Sequence, residues 1–334
     1  MAPQTKIRSA LRLLGVAAGL LALAGCGTPF TAVSQIGLRI SSSSKAKADG
    51  TPISLRQLPM TRYRQQMPKG QVLYSLRYWS RGVNVQAYLD VPPGRGAFPL
   101  LVFLHGGDPT EAPGHYTGFP VYTPVMAAES SNAHSIVFIP NYGGYGPSQG
   151  DICSPYDCFL DAENGIKALS HIHGLHVKED ATYPFGFSLG GYVAMMMAEH
   201  DPQVRAIVLD SPWPGALAFL RWADQFSQDA LGTSDLSFWA LMHGTWGNNL
   251  DSVVYRDNSV NFSSIHTPVL IIGGEQDTTI PPSLVQFLYR QLQAHNPYVE
   301  LDMVPGGHAP ITMHVYRLVQ KWLLPLGFRF YLTT

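Results

Sequence analysis

The chain has 334 residues, 46% of them hydrophobic and 13% charged, and a formal net charge of −1. That is ample material for one large core, and a single domain is the expectation. With charge near zero and no run of Lys and Arg interleaved with aromatics, the sequence carries no electrostatic footprint for nucleic acid.

The chain opens with Lys6, Arg8 and Arg12, continues as an apolar run from Leu13 to Leu23, and reaches Leu23-Ala24-Gly25-Cys26. The run is shorter than the roughly 20 apolar residues that cross a bilayer, and the order of basic, apolar and small residues reads as an export signal. Its last four residues resemble the lipobox of bacterial lipoproteins. The resemblance implies that residues 1–25 are removed and that Cys26 becomes an acylated first residue holding the protein to a lipid bilayer. An ordinary signal peptide with an incidental cysteine is the alternative. Gly27 and Thr28 lack the acidic residue that retains such proteins in the inner membrane, so an outer-membrane address is implied for a Gram-negative host. With Cys26 lipidated, Cys153 and Cys158 remain in a turn-rich stretch, and export makes a local disulfide the expected outcome. Two free thiols lining a pocket is the alternative; a metal site lacks a further cysteine to complete it.

From Cys26 to about Gly70 the sequence is polar and irregular, with Ser41-Ser42-Ser43-Ser44-Lys45 at its heart, and reads as a flexible tether. The folded domain is expected over 71–334. Val72–Tyr78 and Val83–Val91, joined at Arg81-Gly82, read as an antiparallel hairpin. Beyond them, apolar runs at 99–104, 135–140, 182–187, 204–209, 269–273 and 299–304 alternate with helical patterns at 121–130, 157–171, 191–199, 283–294 and 313–324. Runs apolar on both faces are buried on both faces, so the class is α/β: a mostly parallel sheet covered by helices on each side. Pro184 inside the run at 182–187 would remove a ladder donor, so that strand is expected to be short or bulged there. The stretch 212–266 breaks the alternation and carries Trp213, Phe219, Trp222, Phe226, Phe238, Trp239 and Trp246. It reads as a helical cap insertion, most of its rings packed into the body and one or two facing the pocket.

The loops after the strands carry the chemistry. Ser188 lies in Gly186-Phe187-Ser188-Leu189-Gly190-Gly191, where a strand turns sharply into a helix; in such a turn side chains flanking the serine would clash, giving Gly186 and Gly190 a steric role. His105-Gly106-Gly107 follows an earlier strand. Asp277 follows 269–273, and His308 follows the last strand in Gly306-Gly307-His308-Ala309-Pro310. In an α/β sheet such loops converge on one edge.

These motifs, in the order serine, acid, histidine, resemble the α/β-hydrolases over about residues 70–325, and most closely the dienelactone-hydrolase and prolyl-oligopeptidase-type branches. The resemblance implies Ser188 as nucleophile, His308 as base, Asp277 as the group orienting it, and an oxyanion hole from the backbone N–H groups of Leu189 and Gly107, with neither cofactor nor metal. Asn141-Tyr142-Gly143-Gly144-Tyr145-Gly146 is similar to the family's Tyr-Arg-Gly-Tyr-Gly loop, except that Gly143 stands where arginine is common. Asp210 is an alternative acid, Glu275 lies two residues early, and His105 is expected to bond within its own loop. His171, His173 and His176 are read as solvated rather than metal-binding. The expected activity is hydrolysis of a small-molecule or acyl ester. A peptidase of the same fold is the first alternative; a non-catalytic surface lipoprotein on a hydrolase scaffold is the second.

Overall fold

The computed structural model describes residues 38–40, 47–59, 70–107, 135–226, 244, 246–310 and 313–328. Cys26 and the helix expected over 121–130 lie outside them. In chain order the elements are β1 (Arg39–Ile40), β2 (Pro52–Gln57), β3 (Val72–Ser80), β4 (Val83–Val91), β5 (Phe98–Leu104), β6 (Ile136–Asn141) and α1 (Pro155–Leu169). There follow β7 (Ile172–His173), β8 (Val177–Phe187), α2 (Leu189–His200), β9 (Ile207–Asp210), α3 (Ala216–Phe226) and α4 (Val253–Asp257). The chain then forms β10 (Val269–Gly274), α5 (Pro282–Gln293), β11 (Val299–Val304) and α6 (Met313–Leu323).

Among the described residues, nine strands form one sheet in the order β11-β10-β9-β8-β5-β6-β4-β3-β2. Pairing is parallel from β11 through β6 and antiparallel from β4 to β2. Strand parity explains the two cores. Leu100, Val102 and Leu104 face a layer containing α1, α2, α3 and α5, whereas Leu101 and Phe103 face a second layer with Val315, Val319 and Leu323 of α6. Helix α1 starts cleanly because Ser154 caps it by accepting from the Asp157 N–H and Pro155 occupies its first turn. The hairpin forms as expected: Arg81 and Gly82 both hold positive φ, 50° and 77°, as a two-residue loop matched to strand twist requires. Cys153 and Cys158 are joined as a disulfide that ties the loop after β6 to α1.

Two expectations change. The stretch assigned to a tether contributes β2, an edge strand paired with β3, and β1, paired with β7. An edge strand needs little apolar surface, so its polar sequence concealed it. Second, β8 is not short: it runs from Val177 to Phe187, and Pro184 pairs regularly with Val102 of β5. Against β5 the irregularity lies earlier, between the Phe98↔Val177 and Leu100↔Thr182 pairs, where Asp180 has φ 50°. The N–H groups of Thr182 and Ser188 point toward the β9 side, donating to Gln203 and Asp210. The Pro184 nitrogen, of the same parity, faces that side too, and there the pairing slips by one residue, from Thr182↔Val204 to Phe185↔Val208, so the missing donor coincides with an irregularity in the neighbouring chain. The inserted stretch begins with α3 in the sheet-face layer, and its described rings pack into the body as expected, with Trp213, Phe219 and Trp222 buried and Trp246 half-buried. Residues 227–243, with Phe238 and Trp239, lie outside the described residues, as does the Phe226 side chain.

Candidate active site

The sheet itself selects the place. After β5 the chain lays β6 on one side, and β8 then returns to the other side of β5 before β9 continues outward. The order reverses between β5 and β8, and in parallel sheets the crevice beyond such a reversal accepts ligands. Loop 105–107 leaves β5 at this edge, and Ser188 leaves β8.

Ser188 sits at φ 53°, ψ −117°, a conformation that costs a non-glycine residue about 1–3 kcal/mol and must be held by its surroundings. Its N–H donates to Asp210 O (3.0 Å), and its carbonyl accepts from Gly191 N (2.9 Å) and Trp213 N (3.0 Å). A Cβ on Gly186 would strike the backbone of Gly190, and one on Gly190 the backbone of Leu104. These two glycines let β8 turn into α2 against the end of β5. The serine side chain is half-buried, and among the described residues its hydroxyl makes no hydrogen bond.

Asp277 and His308 meet directly. His308 Nδ1 lies 2.8 Å from Asp277 Oδ2, while Asp277 Oδ1 accepts from the N–H groups of Thr279 (2.8 Å) and Ile280 (2.9 Å). An ionised carboxylate only accepts, so Nδ1 must donate, which leaves Nε2 free to take a proton. Burial pushes the Asp277 carboxyl upward, but the hydrogen bond from His308, the Ile280 and Thr279 N–H groups and the imidazole's charge outweigh it and hold the pKa below the usual 3.8. The His308 side chain is 24% exposed, so one edge of the ring reaches the crevice.

Backbone and packing contacts bring this pair to the serine. The His308 ring lies 5.3 Å, centroid to centroid, from the ring of Phe187, the residue before Ser188. Ala309 N donates to Ser211 Oγ (3.1 Å), one residue beyond the Asp210 carbonyl that receives the Ser188 N–H. Gln276 fastens the acid and histidine loops together: its Oε1 accepts from Gly306 N (2.6 Å) and its N–H donates to Gly306 O (2.8 Å). Sequence reading missed Ser211 and Gln276 because their role depends on which loops become neighbours. Leu189, whose N–H opens α2, is buried, and Gly107 is half-buried. A Cβ built on Gly106 would lie 3.0 Å from Ser188 Cβ, so the 105–107 turn directly borders the serine.

His105 is fully buried, with Nδ1 2.5 Å from Gly106 O and its ring 4.3 Å from that of Tyr142; burial pushes its pKa down to about 4. It bonds within its own loop, as expected. Glu275, His171, His173 and His176 are exposed.

Asp210 is fully buried, and among the described residues neither carboxylate oxygen has a hydrogen-bond partner of good geometry. Burial first, then the nearby charge of Asp277, raises its pKa from 3.8 to about 7, against a smaller opposing effect of Ser211. The folded protein thus retains a proton that the unfolded chain releases, and stability falls as pH rises from 3.8 to about 7. Each tenfold in proton affinity is worth about 1.4 kcal/mol, so the loss is on the order of 4 kcal/mol. Asp210→Asn is expected to raise Tm at pH 8 and change it little at pH 4. Thermal melts at the two pH values check this, and an equal change at both would contradict it.

A strained serine at a strand-to-helix turn, a buried carboxylate holding an imidazole, and a sheet whose strand order reverses between β5 and β8 define the class: an α/β-hydrolase fold. The chain belongs to the alpha/beta hydrolase family, whose family model matches residues 101–319. It is 28% identical over 180 residues to alpha/beta hydrolase domain-containing protein WAV2 of Arabidopsis thaliana, a match covering 51% of this chain and 53% of that protein. The chain thus spans about half the length of that relative. It is 25% identical over 227 residues to the uncharacterized peptidase YtmA of Bacillus subtilis, covering 67% of this chain and 81% of that one. Among solved structures, the acetyl xylan esterase of Paenibacillus sp. R4 superposes with a TM-score of 0.59 at 19% identity, over 81% of this chain and 88% of that one.

Proposed function

We propose that the protein is a serine hydrolase cleaving carboxylic esters through an acyl-enzyme. The hydrogen-bonded Asp277–His308 pair, carried on loops fastened beside the Ser188 turn, is the observation that supports this reading most strongly. His308 Nε2 takes the Ser188 proton as Oγ attacks the acyl carbon, then gives it to the departing alkoxide. Water, deprotonated in turn by the same nitrogen, releases the acid. Asp277 fixes the tautomer and stabilises the imidazolium. The tetrahedral oxyanion is held by the N–H groups of Leu189 and Gly107, each such donor being worth about 3–4 kcal/mol in the transition state. The chemistry needs no cofactor.

The second reading is a peptidase of the same fold, favoured by the likeness to YtmA. Short acyl esters assayed against aminoacyl amides separate the two. The ester reading expects esters to be turned over at least a hundredfold faster; preference for the amides would replace it with the peptidase reading. A non-catalytic scaffold is disfavoured by the presence of all three residues of the triad.

We further propose that Cys26 carries the lipid that anchors the enzyme to the bacterial cell envelope, at the outer membrane in a Gram-negative host, on the strength of Leu23-Ala24-Gly25-Cys26 after a short apolar run. In cells fed an alkyne fatty acid, the wild type is expected to take up label and Cys26→Ser to take up none; an equally labelled variant would sink the anchor.

A further inference from the structure

We propose that Arg81 and Asp161 are positioning residues for the oxyanion turn at 105–107, with Arg81 bringing from the β3–β4 turn the guanidinium that Gly143 cannot supply. The inference rests on the serine-hydrolase reading and adds residues that do not touch substrate.

The Asp161 side chain is completely buried in α1, yet its oxygens are fully occupied. Oδ1 accepts from Ser80 Oγ (2.6 Å) and Arg81 Nε (2.9 Å); Oδ2 accepts from Arg81 Nη2 (2.8 Å) and the Gly143 N–H (2.7 Å). The Arg81 fork is itself steadied by Asp157 (3.4 Å from Nη1), and its backbone N–H by Asp49 (2.7 Å). A buried charge pair is retained at low cost only when its remaining donors and acceptors are met, as they are here. The guanidinium occupies the space in which a side chain at position 143 would run: a Cβ built there would lie 2.8 Å from Arg81 Nη2 and 3.2 Å from Asp161 Oδ2.

From Gly143 the contacts run to the site. Tyr142 Oη donates to His105 O (3.3 Å) and its ring stacks on the His105 ring. The Tyr145 ring lies against His105, and a Cβ on Gly107 would come within 2.8 Å of Tyr145 Cε1. The pair at 81 and 161 thus fixes the 142–146 loop, and that loop is the wall on which residues 105–107 rest. Misplacing an oxyanion donor by about an ångström costs up to a hundredfold in rate.

Arg81→Asn removes the guanidinium but keeps the hairpin, because Asn-Gly is a preferred pair for a two-residue loop with positive φ at both positions. Its kcat on a short acyl ester is expected to fall ten- to a hundredfold with KM within threefold of wild type. Amide hydrogen exchange at 105–107 and 142–146 should quicken at least tenfold. In Arg81→Asn/Gly143→Arg the vacated space admits an arginine from the loop side, and Gly143 has no left-handed φ to forbid it. Both kcat and exchange should return to within threefold of wild type. Arg81→Lys, retaining charge without the fork, should fall between, and it carries the test if the asparagine variant does not fold. Unchanged exchange at 105–107 in Arg81→Asn, or a folded double variant with no recovery, would overturn the proposal. If exchange responds and recovers while wild type itself turns over no ester, the positioning role stands and the hydrolase reading fails.

Discussion

Ser188→Ala is expected to lower kcat/KM on the best ester by a factor on the order of 10⁵ to 10⁶, leaving Tm unchanged or raised. The size follows from the division of labour: His308 and Asp277 have no proton to move once the hydroxyl is gone, so one substitution disables the whole relay. His308→Ala should cost about as much, and Ser188→Ala/His308→Ala little more, because residues acting as a unit are not additive. Asp277→Asn should cost on the order of 10⁴, because an amide in place of the carboxylate can stabilise the wrong imidazole tautomer. The rise in Tm has its own cause. Ser188 is held at φ 53°, and alanine does nothing to worsen that strain while removing a hydroxyl that, among the described residues, makes no hydrogen bond. Steady-state kinetics with thermal melts check both halves. A residual activity above one percent of wild type would mean that another group attacks the substrate.

Gly190→Ala is the second large effect, and its sign is diagnostic. In an ordinary helix position the change stabilises by about 1 kcal/mol. Here the new methyl would lie 2.5 Å from the Leu104 carbonyl carbon and 2.8 Å from the His105 carbonyl oxygen, both backbone atoms that no rotamer change moves. Relief requires β5 and β8 to part at their C-terminal ends, displacing the 105–107 turn from Ser188. Overpacking of this kind costs about 3 kcal/mol, or a fall in Tm of roughly 6–12 °C at 2–4 °C per kcal/mol, with ester turnover lost beyond what instability explains. Gly186→Ala should behave alike, because its methyl would meet the backbone of Gly190 and Gly191. A variant that melts above wild type would show that the turn tolerates a side chain and that its geometry is not sterically dictated.

What could be read from sequence was whatever is local or has a strong period. The doubly buried strands β5, β6, β8 and β10 announced themselves as continuous apolar runs, and the hairpin by its alternation around Arg81-Gly82. The loops holding Ser188, Asp277 and His308 were legible because glycines mark the ends of those strands. What escaped was set by partners distant in the chain. β2 is a six-residue edge strand whose apolar face amounts to Ile53 and Leu55, too short an alternation to declare it. The slip in pairing beside Pro184 lies with residues 204–208, a neighbour that only the fold supplies. Arg81 reads as a turn residue until Asp161, eighty residues on, supplies its carboxylate. In each case the missing information was tertiary adjacency.

The central claim is that the Ser188 oxygen is a nucleophile activated by His308. Exposure of the folded protein to a fluorophosphonate ester, followed by peptide mass mapping, tests it most directly. The account predicts a single phosphonyl adduct on Ser188, formed rapidly in wild type and lost in His308→Ala. An unmodified Ser188 in folded protein, or an adduct that forms equally fast without the imidazole, would contradict it.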